Sequence, residues 1–238
     1  MTKTTNKSRL PRTGTLMLIA VVLLIGGGGV MVWVPYHRNQ TVISEVENLG
    51  GTTESKIIRP FWVPNAVDDE HLKPFERVWQ VDLHDTQISD VGLESLRGIT
   101  SLVTLRLENT QISDASLENL RGLTNLENLA LTNTQVSDAG LEHLRGLTNL
   151  QHLSLTNNHV SDAGLEHLRE LTKLSGLKLE RAQVSDSGLE HLHGLTNLET
   201  LNLFFTTEVT RAGIKKLQKA LPGCKIGWIP TAEYHETP

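Results

Sequence analysis

Leucines recur at a fixed spacing through most of this chain. From Arg97 to Leu192 the sequence repeats every 24 residues, four times over, and the unit from Arg121 to Leu144 reads RGLTNLENLALTNTQVSDAGLEHL. Less regular units flank the array, one from about Leu72 to Leu96 and one from His193 to Leu217. A fixed period of this length predicts a solenoid, because each unit buries its apolar face against the next unit.

Within each unit the apolar pattern first fits a strand and then a helix. Leu105 and Leu107 alternate with polar residues, so we expect a short strand that points both leucines inward and leaves Thr104, Arg106 and Glu108 facing solvent. A Ser-Asp pair then favours a short helix, with the serine as N-cap and the aspartate in the positive first turn. These serines are Ser89, Ser113, Ser137, Ser161 and Ser185. Strands stack about 4.8 Å apart whereas helices need about 10 Å, so the strands should line a concave face.

Each strand is followed by a position that is threonine in most of the units. It reads Thr86, Thr110, Thr134, Asn158, Ala182 and Thr206. A polar side chain at this position bonds the backbone of the turning chain, and a hydroxyl does part of that task. Ala182 has no such group, so we expect the fifth unit to have the loosest turn.

The consensus LxxLTxLxxLxLxxTxVSDAGLxxL resembles the 24-residue leucine-rich repeat of the ribonuclease-inhibitor-like type, which is found in partners of F-box proteins and in many bacterial proteins. The resemblance covers residues 72–229, and the ending from Ala220 to Trp228 is similar to the closing strand of bacterial arrays. It implies an α/β leucine-rich repeat solenoid, with parallel strands on the concave face and short helices on the convex face, that acts as a binding scaffold. No F-box precedes the array, which weighs against a ubiquitin-ligase role.

An uncharged apolar segment runs from Leu16 to Val34. At about 1.5 Å per residue, a helix of that length nearly matches a hydrocarbon core of about 30 Å. Four basic residues precede the segment and only Arg38 follows it closely, so the positive-inside rule places the N-terminus in the cytoplasm and the repeats outside. We therefore predict a single-pass transmembrane helix that ends at Pro35. An anchor followed by an Asn-Leu-Gly-Gly segment resembles bacterial membrane members of this repeat class.

Two other interpretations of this segment stay open. A cleaved signal peptide fits the basic start, the apolar run from Leu16 to Ile25 and the small residues from Gly26 to Gly29, although apolar residues resume at Val30 and no A-x-A-like site stands out. In a third interpretation the segment stays inserted and the repeats lie in the cytosol. The transmembrane anchor and the cleaved signal peptide both place the repeats outside the cytoplasm.

Residues 37–75 connect this segment to the array. Apolar residues from Thr41 to Leu49 have helical spacing that Gly50 and Gly51 interrupt, the run from Lys56 to Val63 fits an extended piece, and that from Pro64 to Glu70 fits a turn before a short helix. We expect this stretch to cap the open leucine core of the first repeat. The predicted organisation is 1–14 basic cytoplasmic tip, 15–34 transmembrane anchor, 35–71 juxtamembrane helix and N-terminal cap, 72–217 six leucine-rich repeats, and 218–238 C-terminal cap and tail.

Composition and charge narrow the range of possible functions. Aromatic residues make up 4% of the chain and hydrophobic residues 38%, which suits a thin leucine core. The single cysteine, Cys224, excludes a disulfide framework, and we expect it to be a small buried side chain. Residues 35–238 hold all 27 Asp and Glu against 18 Lys and Arg, and that acidic balance disfavours nucleic acid as a partner.

Several repeated polar residues suggest a metal or catalytic site, but each has a simpler explanation. His143, His167 and His191 recur at the repeat spacing, yet helices about 10 Å apart are too distant to share a metal bound at about 2.1 Å, and duplication of an exposed position explains the column. Helix capping explains the aspartates. Asp82 and His84 share the strand face of the first unit, but no glycine elbow or activated serine accompanies them. We predict no metal, no cofactor and no catalytic residue.

The solvent-facing strand positions vary between units, whereas the leucines do not. The variation fits neutral drift or a docking face, and a rigid concave surface favours the docking face. Phe204 and Phe205 lie one strand from Arg181, and such aromatic and arginine clusters are typical binding anchors. One extra residue between Leu203 and Val209 leaves open that Phe205 turns into the core. The predicted partner-binding residues are Arg106, Glu108, His152, Lys178, Glu180, Arg181, Asn202, Phe204 and Phe205.

These observations lead to one main hypothesis and two alternatives. The main hypothesis is a non-enzymatic, membrane-anchored scaffold that binds a protein, or as a second choice a glycan, through the concave face. One alternative is a structural envelope spacer without a specific ligand. The other is a cytosolic adaptor of the ubiquitin-ligase or regulatory type.

Overall fold

One strand from each repeat joins a single sheet. The computed structural model describes residues 28–60, 63 and 68–230. Within that part the sheet has eight strands, ordered from β1 to β8 along the chain. The strands are β1 (Thr52–Ile57), β2 (Glu76–Asp82), β3 (Thr104–Arg106), β4 (Asn128–Ala130), β5 (His152–Ser154), β6 (Gly176–Lys178), β7 (Thr200–Asn202) and β8 (Lys225–Gly227).

Helices, most of them short, alternate with these strands. The α-helices are α1 (Gly28–Asn48), α2 (Asp114–Leu117), α3 (Asp138–Leu141), α4 (Asp162–Glu166), α5 (Asp186–Leu189) and α6 (Arg211–Ala220). The 3-10 helices are Asp69–Phe75, Gly92–Leu96, Glu118–Leu120, Glu142–Leu144 and Glu190–Leu192. This alternation confirms the predicted leucine-rich repeat solenoid.

The repeat length sets the register of the sheet. Strands β2 to β8 are parallel, and Leu105 pairs with Leu129, which in turn pairs with Leu153. At the last step Leu201 pairs with Ile226, one residue further along than the period predicts, which matches the extra residue in the sixth unit. Equivalent positions of successive repeats therefore lie side by side.

The leucines form one continuous core. The paired strand leucines are at most 2% exposed, and the same cluster extends from Val42 of α1 to Cys224 before β8. Cys224 is buried, as expected for a small filler, and burial raises the pKa of its thiol. Each repeat covers its apolar side only by contact with the next repeat, so the ends of the array require caps.

The N-terminal segment packs on the first repeat. Helix α1 buries Val42 and Val46, and the side-chain Nδ2 of Asn39 donates to the carbonyl oxygen of Glu76 at 2.6 Å. Gly50 follows α1 with a φ of 83°, a conformation that glycine adopts without strain. Strand β1 then pairs antiparallel with β2, so the sheet gains an outer strand at this end.

Helix α1 corrects the prediction that a helix ends at Pro35. The helix continues through this proline to Asn48. A proline inside a helix costs about 3 kcal/mol, and the burial of Val42 and Val46 in the later turns offsets that cost. Most of the segment predicted to span a membrane, Leu16 to Val34, lies outside the described residues. Among the residues that are described, no helix combines the length and apolar character needed to cross a membrane.

The strand after α1 lies earlier than predicted. The extended piece was expected from Lys56 to Val63, but β1 is Thr52–Ile57 because these residues pair with Asp82 through Glu76 of β2. The short helix expected near Glu70 is present as the 3-10 helix Asp69–Phe75. The four residues before Asp68 lie outside the described part.

The predicted serine N-caps are confirmed in three repeats. The hydroxyl oxygens of Ser137, Ser161 and Ser185 accept hydrogen bonds from the backbone nitrogen two residues later, at 3.2–3.4 Å. Ser113 makes no such bond, and in the first repeat the helix begins later, with Val91 at the N-cap in place of Ser89. The predicted N-cap position is therefore wrong for Ser89, whereas Ser113 occupies the N-cap of α2 without a side-chain capping bond.

The aspartate column joins consecutive repeats. Asp114 accepts hydrogen bonds from the backbone nitrogen of Ser137 at 2.7 Å and from its hydroxyl at 2.5 Å. The equivalent pairs are Asp90 with Ser113, Asp138 with Ser161, Asp162 with Ser185, and Asp186 with Thr210. A Cβ on Gly140 would collide with Asp114, so glycine leaves room for the carboxylate. Ser116 stands in this glycine column and donates its hydroxyl to Asp90.

A second ladder runs along the turns that follow the strands. Asn109, Asn133 and Asn157 have φ values of 55–57°, which asparagine tolerates better than most residues. Asn133 donates to Asn109 at 2.9 Å, and Asn157 donates to Asn133 at 2.8 Å. Arg181 and Phe205 occupy the next two places with φ of 61° and 64°. The asparagine ladder therefore ends before the C-terminal repeats.

The threonine column closes the same turns. The hydroxyls of Thr86, Thr110 and Thr206 each donate at 2.7 Å to the carbonyl oxygen three residues earlier. At Ala182 only the backbone nitrogen makes this contact, with Leu179 at 3.1 Å. The expectation of a looser turn in the fifth unit stays a prediction.

Candidate functional site

The parallel register gathers the solvent-facing strand positions into one surface, which we call the concave face. Its rows are Gln80, Asp82, His84; Thr104, Arg106, Glu108; Asn128, Ala130, Thr132; His152, Ser154, Thr156; Gly176, Lys178, Glu180; and Thr200, Asn202, Phe204. Lys225 of β8 pairs with Thr200 and extends the face by one strand. The prediction missed Lys225, although its place in the closing strand was a usable signal.

A depression of about 420 Å³ crosses the concave face from β3 to β7. Ala130, Ser154 and Gly176 lie on its lining and are small. A Cβ on Gly176 would lie 2.9 Å from Cδ2 of His152 and 3.4 Å from Oγ1 of Thr200, so the neighbouring side chains close around this glycine. The predicted residues Arg106, Glu108, His152 and Lys178 all contribute to this depression.

Charged residues form a network at the N-terminal end of the concave face. The carboxylate of Asp82 binds Nδ1 of His84 at 2.5 Å and accepts from NH1 of Arg106 at 2.9 Å. Arg106 also donates to Glu108 at 3.4 Å. Oε2 of Glu108 is buried and has no hydrogen-bond partner within the described residues. Arg106 is thus held by two carboxylates, and its charge is largely compensated.

The same contacts shift two pKa values. Burial alone raises the pKa of Asp82, but the hydrogen bonds from His84 and the charge of Arg106 outweigh it, so this pKa lies below its ordinary value. The hydrogen bond with Asp82 and its negative charge raise the pKa of His84. The pair therefore favours a carboxylate facing an imidazolium.

At the C-terminal end of the concave face, the charged side chains form fewer ion pairs within the described residues. Glu180 accepts from Nδ2 of Asn202 at 2.6 Å, and Oδ1 of Asn202 accepts from the backbone nitrogen of Phe204 at 3.1 Å. Lys178 is exposed and makes no ion pair within the described part of the chain. A second depression of about 310 Å³ lies beside it, with Lys225 on the other side.

The two adjacent phenylalanines take different positions. Phe204 is half-buried, and its ring covers Gly227, where a Cβ would lie 3.2 Å from the ring atom Cζ. Phe205 remains 48% exposed and does not turn into the core, which decides the question that the extra residue left open. Arg181 lies over the ring of Phe205, with Cζ 5.4 Å from the ring centroid. These two residues lie on the turns that follow β6 and β7, beside the concave face.

The repeated histidines and aspartates form no candidate metal centre. His143, His167 and His191 are half-buried, and Nδ1 of the first two is shielded without a hydrogen-bond partner in the described structure. Nowhere in residues 28–60, 63 and 68–230 do three metal-binding side chains come together. The aspartates instead bind the following repeat. Sequence reasoning missed this second role because the partner is one repeat away.

The geometry defines the class of the protein as a leucine-rich repeat solenoid. Residues 146–168 match the sequence profile of the family described as Leucine Rich repeat. The fold is similar to a crystal structure of internalin C2 from Listeria monocytogenes, with a TM-score of 0.46 and 21% identity, covering 71% of this chain and 80% of that one. An internalin (inlF) from the same species has a TM-score of 0.46 and 22% identity, over 68% of this chain and 49% of that one. No curated protein sequence matches the chain.

Proposed function

We propose that this chain is a non-enzymatic, membrane-anchored scaffold that binds a protein through its concave face. One observation supports the proposal above all: the register brings variable polar side chains around a depression of about 420 Å³, while identical leucines hold the strands behind it. A rigid, preformed surface limits the entropy lost on binding. Solenoids generally use such extended concave surfaces to bind partners.

The two ends of this face offer different contacts. Arg106 is already paired with Asp82 and Glu108, so this end provides an ordered polar surface. Lys178 makes no ion pair within the described residues, and Phe205 with Arg181 offers an exposed ring and a guanidinium. Aromatic and arginine side chains dominate the energy of many interfaces. We therefore assign the strongest contribution to the C-terminal half, including Lys178, Arg181 and Phe205.

A matched pair of substitutions tests the site. Ala130→Arg places a long side chain in the central depression, whereas Ala139→Arg makes the same change at an exposed position of α3. Chemical crosslinking on cells should yield a saturable partner with the parent chain and with Ala139→Arg, and lose it with Ala130→Arg. Equal capture by both variants would reject the concave face, and the lack of any saturable partner would favour an envelope spacer.

The anchor and its orientation belong to the same proposal and rest on the sequence. The uncharged run from Leu16 to Val34 and the basic residues before it favour a single-pass helix with the repeats outside the cytoplasm. Protease added to intact cells should digest the repeats and leave a membrane-bound fragment. Protection of the repeats until the cells are lysed would favour the cytosolic adaptor, and release of the intact repeats from the membrane would favour a cleaved signal peptide.

A further inference from the structure

Helix α6 carries a row of cations on the convex side of the solenoid. Arg211, Lys215 and Lys219 are spaced four residues apart, so they share one face of the helix, and all three are exposed. The helix contains no acidic residue, although the chain as a whole has a net charge of −5. The charge of α6 is thus opposite to that of the rest of the protein.

An apolar depression lies next to this row. It measures about 480 Å³ and is lined by Arg211, Ile214, Lys215, Gln218, Lys219 and Trp228, which we call the α6 cleft. Ile214 and Trp228 are half-buried, whereas Gly213 and Leu217 of the same helix are buried. The cleft therefore combines an apolar wall with a basic rim.

The helix is fixed by contacts that leave much of this rim available. Lys216 binds Glu190 of the preceding repeat at 2.5 Å. Gln218 donates from Nε2 to the carbonyl oxygens of Leu221 and Cys224, both at 3.0 Å, and so closes the turn after the helix. Lys215 and Lys219 make no ion pair within the described residues.

We propose that the α6 cleft binds an acidic amphipathic segment of a partner protein. An apolar or aromatic side chain of the segment packs against Ile214 and Trp228. Asp or Glu side chains beside it pair with Lys215 and Lys219. Two such carboxylates four residues apart on a helix are separated by about 6 Å along the axis, which is also the rise between these lysines.

The shape of the cleft favours a peptide over a membrane surface. A bilayer binds helices whose apolar side chains project into it and whose cations stay at the headgroups. Here Ile214 and Trp228 are half-buried and line a depression, so a side chain from a partner reaches them more readily than a flat surface does. The cleft also lies on the helix side of the solenoid, separate from the concave face.

The probe is a blocked helical peptide of about 12 residues, roughly as long as α6, with Glu at every fourth position and one Phe between two of them. A matched peptide has Gln in place of Glu. Fluorescence anisotropy of each labelled peptide is measured against the full chain in a non-ionic detergent. The acidic peptide should bind with an affinity that falls as salt rises, because added salt weakens the attraction between solvent-exposed charges. The Gln peptide should bind far more weakly.

Two double variants separate local from general charge effects. Lys215→Glu with Lys219→Glu should weaken binding of the acidic peptide by about 10-fold or more, because two attractive contacts become repulsive. Arg121→Glu with Arg145→Glu changes the net charge equally at two other exposed positions and should weaken it by less than about 2-fold. Circular dichroism of both proteins reports whether the fold is retained.

Each of the following outcomes would overturn the proposal. The first is an equal loss of affinity for the acidic peptide in both double variants. The second is equal affinity for the Gln peptide and the acidic peptide. The third is binding of the protein to phosphatidylserine vesicles without any binding of the acidic peptide. The fourth is peptide binding that appears only after residues 231–238 are removed, which would assign the cleft to the chain's own terminal segment. If Lys215→Glu with Lys219→Glu unfolds, Lys215→Gln with Lys219→Gln is measured instead, and unchanged binding there also overturns it.

Discussion

Asp138 accepts two hydrogen bonds from Ser161 of the next repeat, from the backbone nitrogen at 2.7 Å and from the hydroxyl at 2.5 Å. The contact connects the start of one short helix with the start of the next. These helices are only four or five residues long and would not be stable alone. The aspartate column therefore helps to hold consecutive repeats together.

Replacing this carboxylate should weaken the solenoid. Asp138→Asn keeps one acceptor oxygen but loses the charge and the second acceptor, so we expect the free energy of unfolding to fall by about 1–3 kcal/mol in urea titrations. Asp68→Asn makes the same change at an exposed position and should have little effect. Equal stability of the two variants would show that the cross-repeat bonds contribute nothing measurable.

The glycine column should tolerate serine better than alanine. A Cβ on Gly164 would collide with Oδ1 of Asp138, so Gly164→Ala should destabilise the protein by about 1–3 kcal/mol. Gly164→Ser should cost less despite its larger side chain, because the hydroxyl can donate to the carboxylate as Ser116 does to Asp90. Gly146→Ala is the control, since no described atom beyond its two chain neighbours lies within 4 Å of an added Cβ. Thermal unfolding of the three variants gives the order, and a more stable Gly164→Ala than Gly164→Ser would contradict it.

Restoring the asparagine ladder should stabilise the fifth repeat. Arg181 has a φ of 61°, which asparagine adopts more easily, and an asparagine there can donate to Asn157. We expect Arg181→Asn to raise the free energy of unfolding by about 1 kcal/mol, after the loss of about 0.5–1 kcal/mol from the contact with Phe205. Lys178→Asn removes the same charge from a strand and should give no gain. The same gain from both variants in urea titrations would mean that charge, not backbone conformation, is responsible.

The turn at Ala182 should gain stability from a hydroxyl. Ala182→Thr can donate to the carbonyl oxygen of Leu179, as Thr110 donates to Leu107 at 2.7 Å. Calorimetry should show an increase of about 0.5–1.5 kcal/mol, with Thr110→Ala as the reverse change. A decrease for Ala182→Thr would show that the turn of the fifth unit has no room for the side chain, contrary to the looser turn that we predict.

The Asp82–His84 pair should make a pH-dependent contribution to stability. The lowered pKa of Asp82 means that its contribution is present above about pH 4 and is lost as the pH falls through the lowered value. The raised pKa of His84 means that its contribution is complete below about pH 6.5 and is lost as the pH rises through the raised value. The pair therefore stabilises the fold most between these limits. In NMR titrations Asp82→Asn should lower the pKa of His84, and an unchanged pKa would contradict the hydrogen bond.

Sequence reasoning succeeded where a pattern reports a local constraint. The alternation around Leu105 predicted β3 and its buried side, and Ser137 was correctly placed as an N-cap. It failed at Pro35, because packing of Val42 and Val46 stabilises the later turns of the helix that contains the proline. Whether Phe205 is exposed or buried could also not be predicted from the sequence, since it depends on how the enlarged sixth turn packs.

The sequence by itself determined the parallel pairing of strands β2 to β8, their register and the buried leucines. A unit that repeats every 24 residues can cover its apolar face only by stacking equivalent positions on those of the next unit. The periodicity is therefore sufficient to predict the register of the strands. Only the tertiary structure decided the partners of the polar columns: Asp138 reaches Ser161, the asparagine ladder ends at Asn157, and Arg181 lies over Phe205. These contacts join residues about one repeat apart, and their distances depend on how the repeats stack.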